Sequence, residues 1–258
     1  MDLQLKQRKA IVTGGTAGIG LAIVKALLAE GAHVVVPGRT QAKLDQALPG
    51  DDGTVQKVVA DLGTAEGAAA LIAAAPNADI LVNNLGIYEP KPFAEISDDD
   101  WLKVFEVNVL SGVRLARHYF PRMLAKNWGR VIFIASESGI MTPPEMVHYG
   151  VTKSSQLAVS RGMAELTKGT GVTVNSVLPG PTRSEGIVEF LQKMATPGAS
   201  AAEAESEFFE KHRSSSLLQR LIEDSEIAHL VAYLASPLSS ATNGAALRVE
   251  GGLLRSIA

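Results

Sequence analysis

Short apolar runs alternate with helix-periodic stretches through the first half of the chain, and few folds accept that pattern. Ala10-Ile-Val reads as a first strand, with a helix from Leu21 to Glu30 after it. His33-Val-Val-Val is a second strand with a helix from Gln41 to Leu48; Val55 to Val59 is a third with a helix from Ala65 to Ala75; Ile80-Leu-Val is a fourth. The runs are continuously apolar, as befits strands buried on both faces. Such alternation predicts a parallel sheet with helices on both faces. A long helix follows, opened by Ser97-Asp-Asp-Asp100 in the shape of a capping box. Trp101, Val104, Phe105 and Leu115 mark its apolar face, and Pro121 is expected to end or bend it. Arg130-Val-Ile-Phe-Ile-Ala, Val172-Thr-Val-Asn-Ser-Val and Ala246-Leu-Arg-Val complete about seven strands, with helices from Tyr149 to Thr167 and from Ser225 to Leu234. The stretch 182–219 has helical segments but no strand, and reads as a mobile, substrate-covering flap. No repeat or long linker divides the chain, so a single domain over 1–258 is expected.

Several function classes are disfavoured early. A net charge of -3 gives no electrostatic pull toward nucleic acid or an anionic membrane. With no cysteine, the chain offers no disulfide, thiol catalysis or thiolate metal site. The five histidines stand singly, without metal-ligand spacing, so no metal is expected. The polar start, Met1 to Lys9, lacks the apolar core of a signal peptide, and no run approaches a membrane span. A cytoplasmic protein is expected.

Two motifs carry chemistry. Thr13-Gly14-Gly15-Thr16-Ala17-Gly18-Ile19-Gly20 lies between the first strand and first helix. A glycine-rich turn there lets backbone approach a pyrophosphate resting on the helix N-terminus. The second runs from Ser136 to Lys153. Gly139, Pro143 and Pro144 break the chain after the fifth strand, and Tyr149 and Lys153 then sit four apart on one helix face. A phenol titrates near pH ~10 and is by itself a poor base at neutral pH. A neighbouring ammonium and the positive helix N-terminus both favour the phenolate. With Ser136 holding the oxygen that gains or loses a proton, the set suits carbonyl/alcohol interconversion.

The spacing of the glycines resembles the Thr-Gly-x-x-x-Gly-x-Gly of the short-chain dehydrogenase/reductase family. Ser136, Tyr149 and Lys153 fit the same family's pattern, and so do Asn83-Asn84-Leu85-Gly86, Asn175-Ser-Val-Leu-Pro179-Gly180 and Val249-Glu-Gly-Gly. Asn108 falls where that family has a fourth catalytic residue, and it lies on the apolar face of the long helix, where a buried amide needs partners. The resemblance spans essentially the whole chain. It implies a single-domain, Rossmann-type doubly wound α/β fold and a homotetramer or homodimer. It implies Tyr149 as general acid/base, Lys153 as the residue that lowers its pKa and holds the nicotinamide ribose, Ser136 as substrate-oxygen ligand, and Asn108 as support for a water-linked proton path. Gly14, Thr16, Ala17, Gly18, Ile19 and Gly20 would cradle the cofactor. Asp61 and Leu62 would approach the adenine, Asn84 and Gly86 the adenosine ribose, and Pro179, Gly180 and Thr182 the nicotinamide side. Ser184 competes with Thr182 for the amide contact, and Leu85 stands where the family has a small Ala.

Gly38 fills the place where a carboxylate would bind a 2′-hydroxyl, and Arg39 follows, a guanidinium suited to a 2′-phosphate. NADP(H) is therefore favoured over NAD(H), with a small carbonyl or alcohol as substrate. Tyr88, Met141, Met146, His148, Glu185, Phe190 and Phe208 are candidates for the pocket wall. His148 is expected to point away from Tyr149, since adjacent helical residues diverge by about 100°. A non-catalytic dinucleotide-binding or scaffold protein on the same fold is the alternative.

Overall fold

The computed structural model describes residues 1–50 and 53–257, with Glu185 described by its backbone alone. Seven strands form one sheet: β1 (Lys9–Val12), β2 (His33–Gly38), β3 (Val55–Val59), β4 (Ile80–Asn83), β5 (Gly129–Ile134), β6 (Val172–Pro179) and β7 (Ala246–Val249). Their order is β3-β2-β1-β4-β5-β6-β7, and every pairing is parallel. The chain builds outward from β1 to β3, then returns to lay β4 on the other side of β1. That reversal opens a crevice at the carboxyl ends of β1 and β4.

The helices are α1 (Gly18–Ala29), α2 (Gln41–Ala47), α3 (Ala65–Ala74), α4 (Asp98–Phe105), α5 (Ser111–Ala125), α6 (Val147–Glu165), α7 (Glu185–Met194), α8 (Ala201–His212) and α9 (Asp224–Ala235). They cover both faces, and the period of two along each strand splits the core into two layers. On one face Val12, Val34, Val36, Ile80 and Val82 pack with Ile23 and Leu27 of α1 and Val231 of α9. On the other Ile11, Val35, Leu81 and Val131 pack with Leu71 of α3 and Leu115 and Tyr119 of α5. The alternate residues of one apolar run thus serve opposite layers.

Two boundaries differ from the sequence reading. Helix α1 starts at Gly18, inside the glycine loop, so the loop's last turn is already helical. The long helix is not one helix: a π-helical turn, Glu106–Leu110, separates α4 from α5. Pro121 neither ends nor interrupts α5, which runs on to Ala125. Tyr119, Phe120 and Met123 around it are buried against the sheet, and this packing outweighs the lost amide bond. Val104 and Leu115 are buried as expected, but Phe105 remains 38% exposed at the rim of that face. The capping box is present: Asp100 N–H donates to Ser97 Oγ at 3.2 Å, and Ser97 N–H donates to Asp100 Oδ2 at 2.9 Å. The stretch after β6 carries α7 and α8, tied to the body where Thr182 bridges Ile222. No helix among the described residues is long and apolar enough to cross a membrane.

Candidate active site

The glycine loop is held open by its neighbours. Gly14 has φ +64°, and a Cβ on it would sit 2.9 Å from Asn84 Nδ2. A Cβ on Gly20 would lie 2.1 Å from the Gly14 carbonyl oxygen, so α1 can approach the turn only through glycine. Buried Thr13 ties the turn to β4: its Oγ1 accepts from the amides of Asn84 and Leu85, both at 2.8 Å. Asn84 Nδ2 in turn donates to Thr13 O at 3.0 Å. The N-cap of α1 is Ala17, which offers no side-chain acceptor to the first-turn amides. Unclaimed amides at a helix N-terminus and bare glycine backbone fit a dinucleotide's pyrophosphate.

One cavity of about 430 Å³ runs from this loop to Tyr149. Gly14, Ala17, Gly18, Ile19 and Gly20 line its cofactor end, followed by Asn84 and Gly86. Ser136, Tyr149 and Lys153 line the middle, and Pro179, Gly180 and Thr182 the opposite wall. Thr182 Oγ1 donates to Gly180 O at 2.8 Å, while Ser184, also on the wall, caps α7 by accepting from Ile187 N–H at 3.3 Å. Thr16, Arg39, Asp61 and Leu62 stand outside this cavity, toward β2 and β3. Arg39 is exposed beside Gly38, where a Cβ would meet Leu44 at 2.9 Å and Thr16 Cγ2 at 3.3 Å. Asp61 accepts from Gly63 N–H at 3.0 Å, and Leu62 is buried in the core.

Tyr149 sits in the first turn of α6, with Lys153 one turn on. Lys153 Nζ lies 5.5 Å from the Tyr149 ring centroid and donates to Ile134 O at 2.9 Å and to Gln156 Oε1 at 3.1 Å. Burial pushes the ammonium down to about 8, partly offset by the Glu137 charge. The phenol differs from expectation. Its pKa is raised, first by burial, then by the Glu137 carboxylate, with the Ser136 hydrogen bond acting the other way. Desolvation and the neighbouring negative charge outweigh the Ser136 hydrogen bond, which favours a neutral, proton-bearing tyrosine.

Asn108 lies in the π-helical turn behind this wall, 1% exposed and fully partnered. Its Oδ1 accepts from Ile87 N–H at 2.8 Å; its Nδ2 donates to Ile87 O at 2.9 Å and to Thr152 Oγ1 at 3.0 Å. The side chain therefore fixes the loop after β4 against α6. The backbone carbonyl oxygen of Asn108 accepts from Gln156 Nε2 at 2.5 Å. Lys153 and Asn108 are thus joined through the amide of Gln156, a residue the sequence reading did not single out although it shares the Lys153 face at i+3.

On the substrate side, Tyr88, Met146, Phe190 and Phe208 line the cavity. Met141 and His148 do not, and the Glu185 side chain lies outside the described residues. His148 is buried against Trp101, ring centroids 5.9 Å apart, pointing away from the cavity. The polar wall was missed: Glu137, Ser138, Glu145 and Arg213 face the same space. Ser136 Oγ and Glu137 Oε2 are hydrogen-bonded to each other, and Ser138 N–H donates to Ser136 Oγ at 3.1 Å. Arg213 pairs with Glu145 at 3.5 Å and stacks over Phe208 at 5.4 Å. An acidic residue between two serines at the end of a buried strand was the available signal for Glu137. Among the described residues no group of His, Asp or Glu could hold a metal ion.

A family model described as short chain dehydrogenase matches residues 8–195. Two Bacillus subtilis (strain 168) proteins, named Uncharacterized oxidoreductase YvaG and Uncharacterized oxidoreductase YvrD, are 50% and 47% identical to this chain along the full length of each. Among solved structures, L-sorbose reductase from Gluconobacter frateurii, complexed with NADPH and L-sorbose, superposes with a TM-score of 0.92 at 27% identity, covering all of both chains. The family match takes in the glycine loop, Ser136 just beyond β5 and the helix bearing Tyr149 and Lys153, and the chain belongs to the short-chain dehydrogenase/reductase family of oxidoreductases.

Proposed function

We propose that the protein interconverts a small carbonyl compound and its secondary alcohol using NADP(H), with Tyr149 as the general acid/base. The observation that carries this is the convergence of Ser136, Tyr149 and Lys153 on one cavity with the glycine loop. When bound, the reduced nicotinamide supplies the hydride. Ser136 and Tyr149 hold the carbonyl oxygen between their hydroxyls. As the C=O π pair moves onto that oxygen, Tyr149 gives it the phenolic proton. Lys153, held by Ile134 O and Gln156, carries positive charge beside the phenolate that results and binds the nicotinamide ribose. The preference for NADP(H) is supported by Gly38 and Arg39 at the end of β2, and by the NADPH in the structurally similar L-sorbose reductase. Self-association as a homotetramer or homodimer belongs to the same reading, supported by Leu102 at 68% and Phe105 at 38% exposure on α4.

The test is a fluorescence titration with NADPH and NADH, followed by a carbonyl screen with the tighter cofactor. NADPH is expected to bind more tightly, and Tyr149→Phe to keep that binding while lowering kcat by a factor of about 10²–10⁴. Full turnover by Tyr149→Phe refutes the acid/base role. Cofactor binding without turnover of any carbonyl would favour a non-catalytic dinucleotide-binding protein.

A further inference from the structure

The cavity holds one polar group that the proposed chemistry leaves without a task. Glu137 is 6% exposed, its carboxyl buried beside the oxygen-holding serine. Oε2 is hydrogen-bonded to Ser136 Oγ, and Oε1 accepts from Ser138 Oγ at 3.3 Å. A serine hydroxyl has one proton and two lone pairs. One lone pair of Ser136 is taken by Ser138 N–H at 3.1 Å. Once the Tyr149 hydroxyl turns from Ser136 to the substrate oxygen, what remains is one proton and one lone pair, to be shared between Glu137 and that substrate.

The protonation of Glu137 decides that division. An ionised carboxylate only accepts, so it takes the Ser136 proton and leaves the hydroxyl a bare lone pair. A carbonyl oxygen also only accepts, and the two repel. A protonated Glu137 donates to Ser136 Oγ instead, filling its second lone pair and freeing its O–H for the carbonyl. Every polar atom is then matched.

Resting on the reading of the site as a carbonyl reductase, we propose that Glu137 is a positioning residue that, bearing a proton, turns the Ser136 hydroxyl toward the substrate carbonyl. The groups facing it are Tyr149 and Lys153 from α6, Arg213 after α8, and the hydroxyls of Ser136 and Ser138. Glu145, from the segment before α6, pairs with Arg213 at 3.5 Å, and its negative charge offsets part of the Arg213 field at Glu137. Tyr88 stands behind Tyr149, ring centroids 6.1 Å apart. Burial pushes the Glu137 carboxyl up, against the hydrogen bonds of Ser136 and Ser138 and the Arg213 charge. The proton-bearing form therefore persists to higher pH than for a solvated carboxyl, and reduction weakens as pH rises through that raised value.

The experiment compares Glu137→Gln and Glu137→Met with wild type, reducing L-sorbose and a panel of simple aldehydes and ketones with NADPH over a pH range. Gln donates to Ser136 at every pH. It should keep kcat within about threefold of wild type and lose the Glu137 step in the profile, retaining only the limb of Lys153. Met matches the volume but cannot donate. It should lower kcat by about a hundredfold with little change in KM, and Ser136→Ala should cost little more in that background. An infrared difference spectrum, wild type minus Glu137→Gln, without cofactor or substrate, should show a protonated carboxyl at neutral pH. A Gln variant with the wild-type pH step, a Met variant with wild-type kcat, or an ionised Glu137 in the infrared spectrum each overturns the proposal. If wild type neither binds NADPH nor reduces any probe, the oxidoreductase reading fails instead, and the infrared result still decides the state of Glu137.

Discussion

Replacing Gln156 by Leu probes the link between the lysine and the π-helical turn. The residue is 2% exposed and of nearly leucine's volume, so the change is mainly polar. It removes a donor 2.5 Å from the Asn108 carbonyl and an acceptor 3.1 Å from the Lys153 ammonium. A buried carbonyl stripped of its partner costs about 1–3 kcal/mol, and a hydrogen bond from a charged donor is worth about 1.5–3 kcal/mol. Burying the leucine returns roughly 1.5–3 kcal/mol. The polar loss wins, leaving a net destabilisation of about 1–3 kcal/mol.

The pH dependence gives the sharper readout. Burial pushes the Lys153 ammonium down to about 8 in the folded protein, against about 10.4 for an unperturbed lysine. Between those two pH values the unfolded chain binds more protons, so stability rises with pH across that window. Gln156→Leu removes an acceptor and moves the lower edge of the window further down. Gln156→Glu places a carboxylate beside the ammonium and moves it up. Urea unfolding of wild type and both variants at a series of alkaline pH values measures these edges. In a Lys153→Met background the window should vanish and the Leu variant should lose only its Asn108 component. Equal urea midpoints and superimposable pH profiles for all three proteins would refute the bridge.

Two other perturbations separate fold from site. Arg130, 1% exposed at the start of β5, donates to Ser236 O at 3.2 Å and to Gly129 O and Gly171 O at 2.9 Å, with its guanidinium 4.7 Å over Trp128. Arg130→Met should cost about 2–4 kcal/mol by urea unfolding, through orphaned carbonyls, while leaving NADPH affinity unchanged. Gly38→Asp puts a carboxylate where a 2′-phosphate would lie; the ratio of NADPH to NADH affinity should fall about tenfold or more, and an unchanged ratio would remove Gly38 from the argument for NADP(H).

The inner strands of the sheet were legible because both their faces are buried. Ile11 and Val12, or Val34 and Val35, serve opposite core layers, so the strands stand out as continuous apolar runs. The glycine loop was legible because steric demands at Gly14 and Gly20 leave one residue type. Glu137 and Gln156 were not, since a polar residue in sequence does not name its partners. Glu137 is defined by a turn that brings Ser136 and Ser138 onto its two oxygens, and by Arg213, distant in the chain. Gln156 gains its meaning from the carbonyl of Asn108, which lies in a π-helical turn that no apolar period reveals. The spacing of Tyr149 and Lys153 was visible, but not the desolvation that reverses the expected shift of the phenol.

That reversal bears on direction. Burial works against charge on three groups of this cavity, holding Tyr149 and Glu137 toward their proton-bearing forms and pushing Lys153 toward neutrality. A phenol and a carboxylic acid acting through Ser136 then present two O–H donors to one point. The complement of two donors is an oxygen with only lone pairs to offer. A ketone or aldehyde is such an oxygen, and negative charge develops on it as reduction proceeds. An alcohol brings a proton of its own, which must find an acceptor, so oxidation first requires one of these buried groups to ionise. In the proposed reaction the polar wall therefore suits carbonyl reduction better than alcohol oxidation.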